Sequence, residues 1–379
     1  MRFWHLLIVA TIVLTACTPL PAQPESPAVA PPTTVPSATA ECMASGPFPP
    51  QLAGLRYGLN AFLLGTDMPR ALTLAQNANV GWVRQQIHWR DTEGVRGEYV
   101  WAPLDTVVGE LEARDLKLLL TVVRSAPWAD PSGGLPDDRV GFAGFMQVLA
   151  TRYQGRVAAY EIWNEPNLAV ENGGVPATPA DYLATLAAAY SAIKAADPCA
   201  LVVSAALAAT STGDSAMAVN DVSFFEQLYQ LEDGLFLRVA DIVAMHPGGG
   251  PFAPKDAWPA GKAEQSARYF RHIERLRELM ERYADPRQVW ITEVGWSIAK
   301  APGAPAPPVT QRQQGDFLVA ALRYTRANYP WVSAIFVWNL NFAVTGQATD
   351  EKSTFGLLNP DWSPRHGYLA VQDYLYHEN

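Results

Sequence analysis

Two carboxylates stand out by their surroundings. Glu165 follows the apolar run in Tyr160-Glu-Ile-Trp-Asn-Glu-Pro-Asn167, and Glu293 follows another in Trp290-Ile-Thr-Glu-Val-Gly-Trp296. Each ends a segment with strand character, where hydrophobic neighbours give an acid little reason to be. Pro166 stops the first strand and fixes the turn, so the Glu165 side chain is aimed rather than loose. Two carboxylates facing each other across a cleft can divide the work of glycoside hydrolysis. One protonates the leaving oxygen while the other attacks the anomeric carbon or directs a water.

Such a pair needs a scaffold that brings distant strand ends together. Short apolar runs rich in β-branched residues recur near Leu55–Leu59, Val80–Gln85, Lys117–Val123, Val157–Trp163, Ala200–Ser204, Asp241–Met245, Gln288–Glu293 and Ala334–Trp338. Helical patterns separate them. Asp67 with Pro69 marks one helix start, Thr310 with Gln313 fits a capping box, and Asp221-Val-Ser-Phe-Phe opens a third. Leu104, Val107, Val108 and Leu111 keep helical spacing, as do Phe142, Phe145, Met146 and Leu149. Eight strand–helix alternations, with strands too apolar for a half-wet sheet, predict a single α/β domain, the (β/α)8 or TIM barrel. An open doubly wound sheet would want a glycine-rich first turn, and Gly58-Leu-Asn-Ala-Phe62 offers none. In a barrel the active site lies at the C-terminal ends of the strands, where both glutamates fall.

Trp-Asn-Glu-Pro-Asn after a fourth strand and Thr-Glu after a seventh resemble the superfamily of retaining β-glycosidases on the barrel fold. The longer pattern is similar to glycoside hydrolase family 39 and its barrel-only bacterial relatives acting on exopolysaccharide. It includes Gly81-Trp-Val-Arg84, His88-Trp89, Gly97 to Trp101, Ala126-Pro-Trp-Ala129, Asp241 to His246 and Phe355 to Asp361. The resemblance implies Glu165 as acid/base, Glu293 as nucleophile and Asn164 as donor to the sugar 2-hydroxyl. It implies Arg84 as the cation keeping Glu293 ionised, His246 as a strand-six site histidine and Trp338 as the indole beneath the sugar. Trp128, Trp258 and Trp296 lie just past strand ends, where indole faces could stack on sugar rings; Trp is otherwise a core residue. Glu161, of the same parity as Glu165 but deeper, reads as a buried structural partner. Two departures stand out. His246-Pro-Gly-Gly-Gly lacks the tyrosine that relatives place after His-Pro. Only 41 residues follow Trp338, too few for the β-sandwich of the family's xylosidases. The expected activity is cleavage of a β-linked oligo- or polysaccharide, without cofactor or metal. The alternative from another class is a barrel that binds sugar without turnover.

The N-terminus reads differently. Residues 1–16 (MRFWHLLIVATIVLTA) form a short apolar export signal. Leu14-Thr-Ala-Cys17 resembles the lipobox of bacterial lipoproteins, which implies acylation of Cys17 and anchoring through lipid alone, outside the cytoplasm. Residues 17–50 hold ten of the chain's 31 prolines and no apolar periodicity, as suits a tether. The catalytic domain is expected over 51–379. Cys42, before the first strand, and Cys199, before the fifth, both belong at the bottom of the barrel and could pair. With Lys+Arg 28 against Asp+Glu 37 and no basic cluster, nucleic acid is a poor partner. Six scattered histidines without H-E-x-x-H argue against a zinc hydrolase. A monomer is expected.

Overall fold

The structure, a computed structural model, describes residues 54–210, 216–299, 307–345, 347 and 350–377. The expected signal segment, Cys17, the tether and Cys42 lie outside the described residues. Eight strands form one parallel sheet: β1 (Arg56–Asn60), β2 (Trp82–His88), β3 (Lys117–Val123), β4 (Ala159–Ile162), β5 (Leu201–Ser204), β6 (Val243–Met245), β7 (Val289–Val294) and β8 (Val332–Val337). Their order is β5-β4-β3-β2-β1-β8-β7-β6. A parallel bridge between Val203 and Ile242 joins the two ends, with Ser204 N–H donating to the Ile242 carbonyl at 3.0 Å. The ring is a (β/α)8 barrel, as the alternation predicts.

A helix follows each strand: α1 (Met68–Asn77), α2 (Ala102–Glu112), α3 (Arg139–Arg152), α4 (Pro179–Ala196), α5 (Asp221–Gln230), α6 (Ile273–Arg282), α7 (Gln311–Asn328) and α8 (His366–His377). The predicted starts are in place. Asp67 caps α1 by accepting from Arg70 N–H, and Thr310 with Gln313 closes a capping box on α7. Asn220, rather than Asp221, caps α5. The apolar stripes of α2 and α3 are buried against the sheet.

All eight strands stand where expected; β3 matches at both ends and the others have shifted ends. Asp241, expected inside β6, lies before it. Its carboxylate accepts from Val202 N–H at 2.8 Å and from Lys194 Nζ at 2.6 Å, which ties β5 to α4 below the ladder.

The barrel interior is layered by strand periodicity. Trp82, Trp290 and Phe336 fill the floor edge to face, with ring centroids 5.1–6.4 Å apart. Gly58 makes room there, since a Cβ on it would collide with the Phe336 ring. Two residues further along each strand, on the same face, stand Asn60, Arg84, Thr121, Glu161, His246, Thr292 and Trp338. An apolar plug thus supports a polar layer, and that layer carries the site.

Candidate active site

Strand β4 ends at Ile162, and the chain turns sharply through Trp163 (φ 74°) and Glu165 (φ 42°). Both occupy the left-handed region that such side chains avoid, so tertiary contacts must hold them. Trp163 N–H donates to Val122 O and Glu165 N–H to Ala206 O, each at 3.0 Å. Fully buried Asn167 completes the staple by bonding the backbones of Ala208 and Val219. The turn therefore hangs from β3 on one side and the β5 loop on the other.

Glu293 lies within β7 itself. Thr292, next to it, also faces inward, which an unbroken strand does not allow. The β7–β8 register shifts between Ile291 and Val294, and this irregularity turns both neighbours into the barrel.

Arg84 lies between these groups with its guanidinium fully buried. Its Nε donates to Glu161 Oε2 at 2.6 Å, and Nη1 donates to Glu293 Oε1 at 2.5 Å and to Asn60 Oδ1 at 2.8 Å. Nη2 donates to Asn164 Oδ1 at 2.8 Å. Thr121 Oγ1 donates to the same Glu161 oxygen at 2.6 Å. On the other side, His246 Nδ1 lies 2.9 Å from Glu165 Oε1 and its Nε2 lies 3.0 Å from Thr292 Oγ1. Arg84, Asn164, His246 and both glutamates are thus one hydrogen-bonded assembly. Burial pushes the Glu293 carboxyl up, and the Glu165 charge adds to this; His246 and Arg84 pull the other way without reversing it. Arg84 pulls the Glu293 carboxyl down, in the direction expected of the cation beside it, but burial outweighs that pull; the same guanidinium also pairs with Glu161. Burial would depress the His246 imidazole, but Glu293 and Glu165 outweigh it and the net shift is upward.

The remaining candidates divide. Trp338 stands half-buried at the end of β8, T-shaped against Phe62 with ring centroids 5.8 Å apart. Trp296 is a correction: it is 2% exposed, donates to Phe252 O and packs on Phe317 and Phe270, so no face is open to a sugar. Trp128 is a second. Its ring lies under the Arg96 guanidinium and against Trp89, and its indole N–H donates to Glu93 O. Trp258 packs edge-on near Tyr269. Glu161 is the buried partner expected. Cys199 is disulfide-bonded; the chain's other cysteines, Cys17 and Cys42, lie outside the described residues. The missing tyrosine has a structural cause. The backbone of Gly248 pairs with Tyr269, and a Cβ at 248 would collide with Ala267 O and the Tyr269 backbone. Among the described residues no group of three or more His, Cys, Asp or Glu could hold a metal ion.

Sequence reasoning missed Asn60, Thr292 and Phe62. Asn60 reaches the carbonyls of Thr292 and Val337 and so ties β1 to β7 and β8 beneath Glu293. Parity with Gly58 at a strand end was its one signal. Phe62 is held by Asn341, which accepts from Phe62 N–H at 2.8 Å and donates to Phe62 O at 2.9 Å. Nothing in either local segment announces that contact.

No protein-family model and no curated protein matches the sequence. Solved structures do. A family 39 glycoside hydrolase from Bacteroides cellulosilyticus WH2 superimposes with a TM-score of 0.65 at 20% identity, covering 86% of this chain and 64% of that one. This chain therefore spans under two thirds of that protein. The GH5_18 enzyme from Streptomyces cattleya gives 0.62 at 17% identity, covering 86% and 81%. Xylanase 10B from Thermotoga maritima gives 0.57 at 16%, covering 85% and 95%. At these identities the likeness establishes architecture: the chain has the (β/α)8 fold that these glycoside hydrolases share.

Proposed function

We propose that this chain is a retaining β-glycoside hydrolase acting on an oligo- or polysaccharide. One observation carries the reading. Glu293 is bonded to buried Arg84 and Glu165 to His246, at the C-terminal end of the barrel, close enough for the Glu165 charge to act on Glu293. The neighbours named above include an enzyme bound to GlcNAc, and a related structure holds a mannosyl-GlcNAc, which supports a neutral β-linked sugar as ligand.

In this mechanism Glu293 attacks the anomeric carbon as Glu165 donates its proton to the glycosidic oxygen. The C–O bond to the leaving sugar breaks and a glycosyl ester forms on Glu293. Glu165, now ionised, takes a proton from water, which releases the sugar and regenerates both groups. The Asn164 amide oxygen is occupied by Arg84, so its NH2 group is left to donate to the sugar 2-hydroxyl as charge develops. Trp338 and Phe62 offer apolar surface to the ring.

The sequence supports export as a lipoprotein, with Cys17 acylated and residues 18–50 spacing the barrel from the membrane surface.

A 2-deoxy-2-fluoro glycoside should trap an ester on Glu293, found by peptide mass. In Glu165→Ala, azide should restore turnover of activated aryl glycosides and yield a β-glycosyl azide. Sugar binding without any turnover in the wild type would favour the binding-protein alternative. An α-configured azide product, or a label on another residue, would overturn the assignment.

A further inference from the structure

A second pair of charged groups stands beside the acid/base and takes no part in the mechanism above. Arg124 is the first residue past β3. The β3–β4 ladder pairs Val122 with Ile162, so two further steps bring Arg124 level with Asn164 at the barrel mouth. Its backbone is left-handed (φ 59°), and its carbonyl accepts from Arg90 N–H at 3.1 Å, which turns the side chain out of strand alternation. Glu171 reaches the same place from β4. Leu168 N–H donates to Glu165 O and Glu171 N–H to Leu168 O, so two successive turns lead from the acid/base to this carboxylate. Arg124 Nη2 donates to Val170 O at 3.0 Å and to Glu171 Oε2 at 3.4 Å.

That ion pair is loose and half-buried, with side chains 26% and 21% exposed. Among the described residues the Glu171 carboxylate has one hydrogen bond, at 3.4 Å, so its remaining lone pairs are open. The Glu171 carboxyl is held up by burial and by the Glu165 charge, while Arg124, Lys352 of the β8 loop and Arg84 act against this. Glu171 thus stands two turns beyond the acid/base on the same loop, beside Arg124 at the rim.

We infer that Arg124 and Glu171 form a hydroxyl-binding subsite for the sugar on the leaving-group side of the cleft. A carboxylate and a guanidinium that grip each other weakly can open to accept from and donate to adjacent hydroxyls of a neutral pyranose. The side follows from the chemistry. The acid donates its proton to the departing oxygen and the nucleophile lies across the anomeric carbon, so groups beyond the acid flank the departing sugar. The inference rests on the glycosidase reading and adds where the second sugar is held.

The experiment compares wild type, Glu171→Gln and Arg124→Gln on β-1,4-linked trisaccharides of xylose, mannose and glucose and on the matching 4-nitrophenyl β-glycosides, whose leaving group is no sugar. On the trisaccharide that the wild type cleaves, kcat/KM should fall about 10- to 100-fold in either variant, the usual cost of a lost charged hydrogen bond. The loss on the aryl glycoside should be at least about tenfold smaller by the same reasoning. Breakdown of the trapped glycosyl-enzyme in water, after the leaving group has gone, should change less than kcat/KM on the trisaccharide. Equal losses on both substrate classes, or no loss on the trisaccharide, would overturn the subsite. A wild type that turns over none of these compounds and traps no ester would overturn the glycosidase reading instead.

Discussion

The Arg84 guanidinium lies 2.6 Å from Glu161 and 2.5 Å from Glu293, so one positive charge serves two carboxylates. Glu161 and Arg84 are both fully buried and bond each other with good geometry, and breaking such a pair typically costs about 3–5 kcal/mol. What reaches Glu293 is the remainder, too little to offset its burial. His246 then matters beyond its hydrogen bond to Glu165, because its charge, alongside Arg84, holds Glu293 down. Replacing His246 by glutamine removes that cation. The Glu293 pKa should rise further, so the acidic limb of kcat/KM should move to higher pH and the profile narrow from that side. Activity at the optimum should fall about 100-fold, the lower end of the range for acid–base groups. A pH–rate profile of His246→Gln whose acidic limb stays put or moves down would refute this coupling.

Among the elements, β6 and its loop depart most from the sequence expectation. The strand has three residues, and the loop after it runs back along Arg268 and Tyr269, with Gly248 N–H bonding Tyr269 O and Gly250 N–H bonding Arg268 O. At Gly248 and Gly250 two backbones this close leave no room for a Cβ, so the tyrosine expected after His-Pro cannot stand at 248. Gly248→Ala should therefore destabilise by about 1–3 kcal/mol, the usual cost of overpacking. At about 2–4 °C per kcal/mol for larger domains, the melting temperature should drop visibly. Gly249 has open space around its Cβ position and serves as control. Equal melting temperatures for Gly248→Ala, Gly249→Ala and wild type would show that the loop yields. The bend in β7 acts in the opposite sense. It spends ladder regularity to place Thr292 and Glu293 in the barrel together.

For the whole molecule, the barrel separates its ends. Catalytic candidates occupy the C-terminal rim, while Cys199 sits at the other end in a loop fastened from several sides. Asp197 accepts from the N–H groups of Gly155, Cys199 and Ala200, and Lys194 Nζ donates to Ala200 O at 2.7 Å. A disulfide on so firm a loop, made to the segment before β1, would attach the tether away from the cleft. In Cys17→Ala, which cannot be acylated at that position, Cys42 and Cys199 are the remaining cysteines. Unfolded without reductant, that variant should offer no thiol to alkylation, and it should leave the membrane fraction that holds the wild type. Two alkylated thiols would rule out the pairing. Retention in the membrane fraction would rule out Cys17 as the anchor.

The eight strands and their order of use were readable from the chain because each is a run of apolar residues bounded by helix signals. Lys117–Val123 was legible to the residue. Glu165 and Glu293 stood out as candidates because a carboxylate ending an apolar strand contradicts its neighbourhood, and depth along the strand, at the same parity as Glu165, separated Glu161 from them. Tertiary structure decided the rest, for reasons that do not reside in local sequence. Trp296 and Trp128 look alike as indoles beyond strand ends, and only their packing partners reveal that neither offers a free face. The irregularity in β7 depends on its register with β8, and the reach of Asn60 and Asn341 on strands that meet only when the barrel closes. The pull on Glu293 depends on the fold in the same way. Its cation is shared with an acid on a different strand, and the division of one charge among three strands is set by distances that exist only in the folded ring.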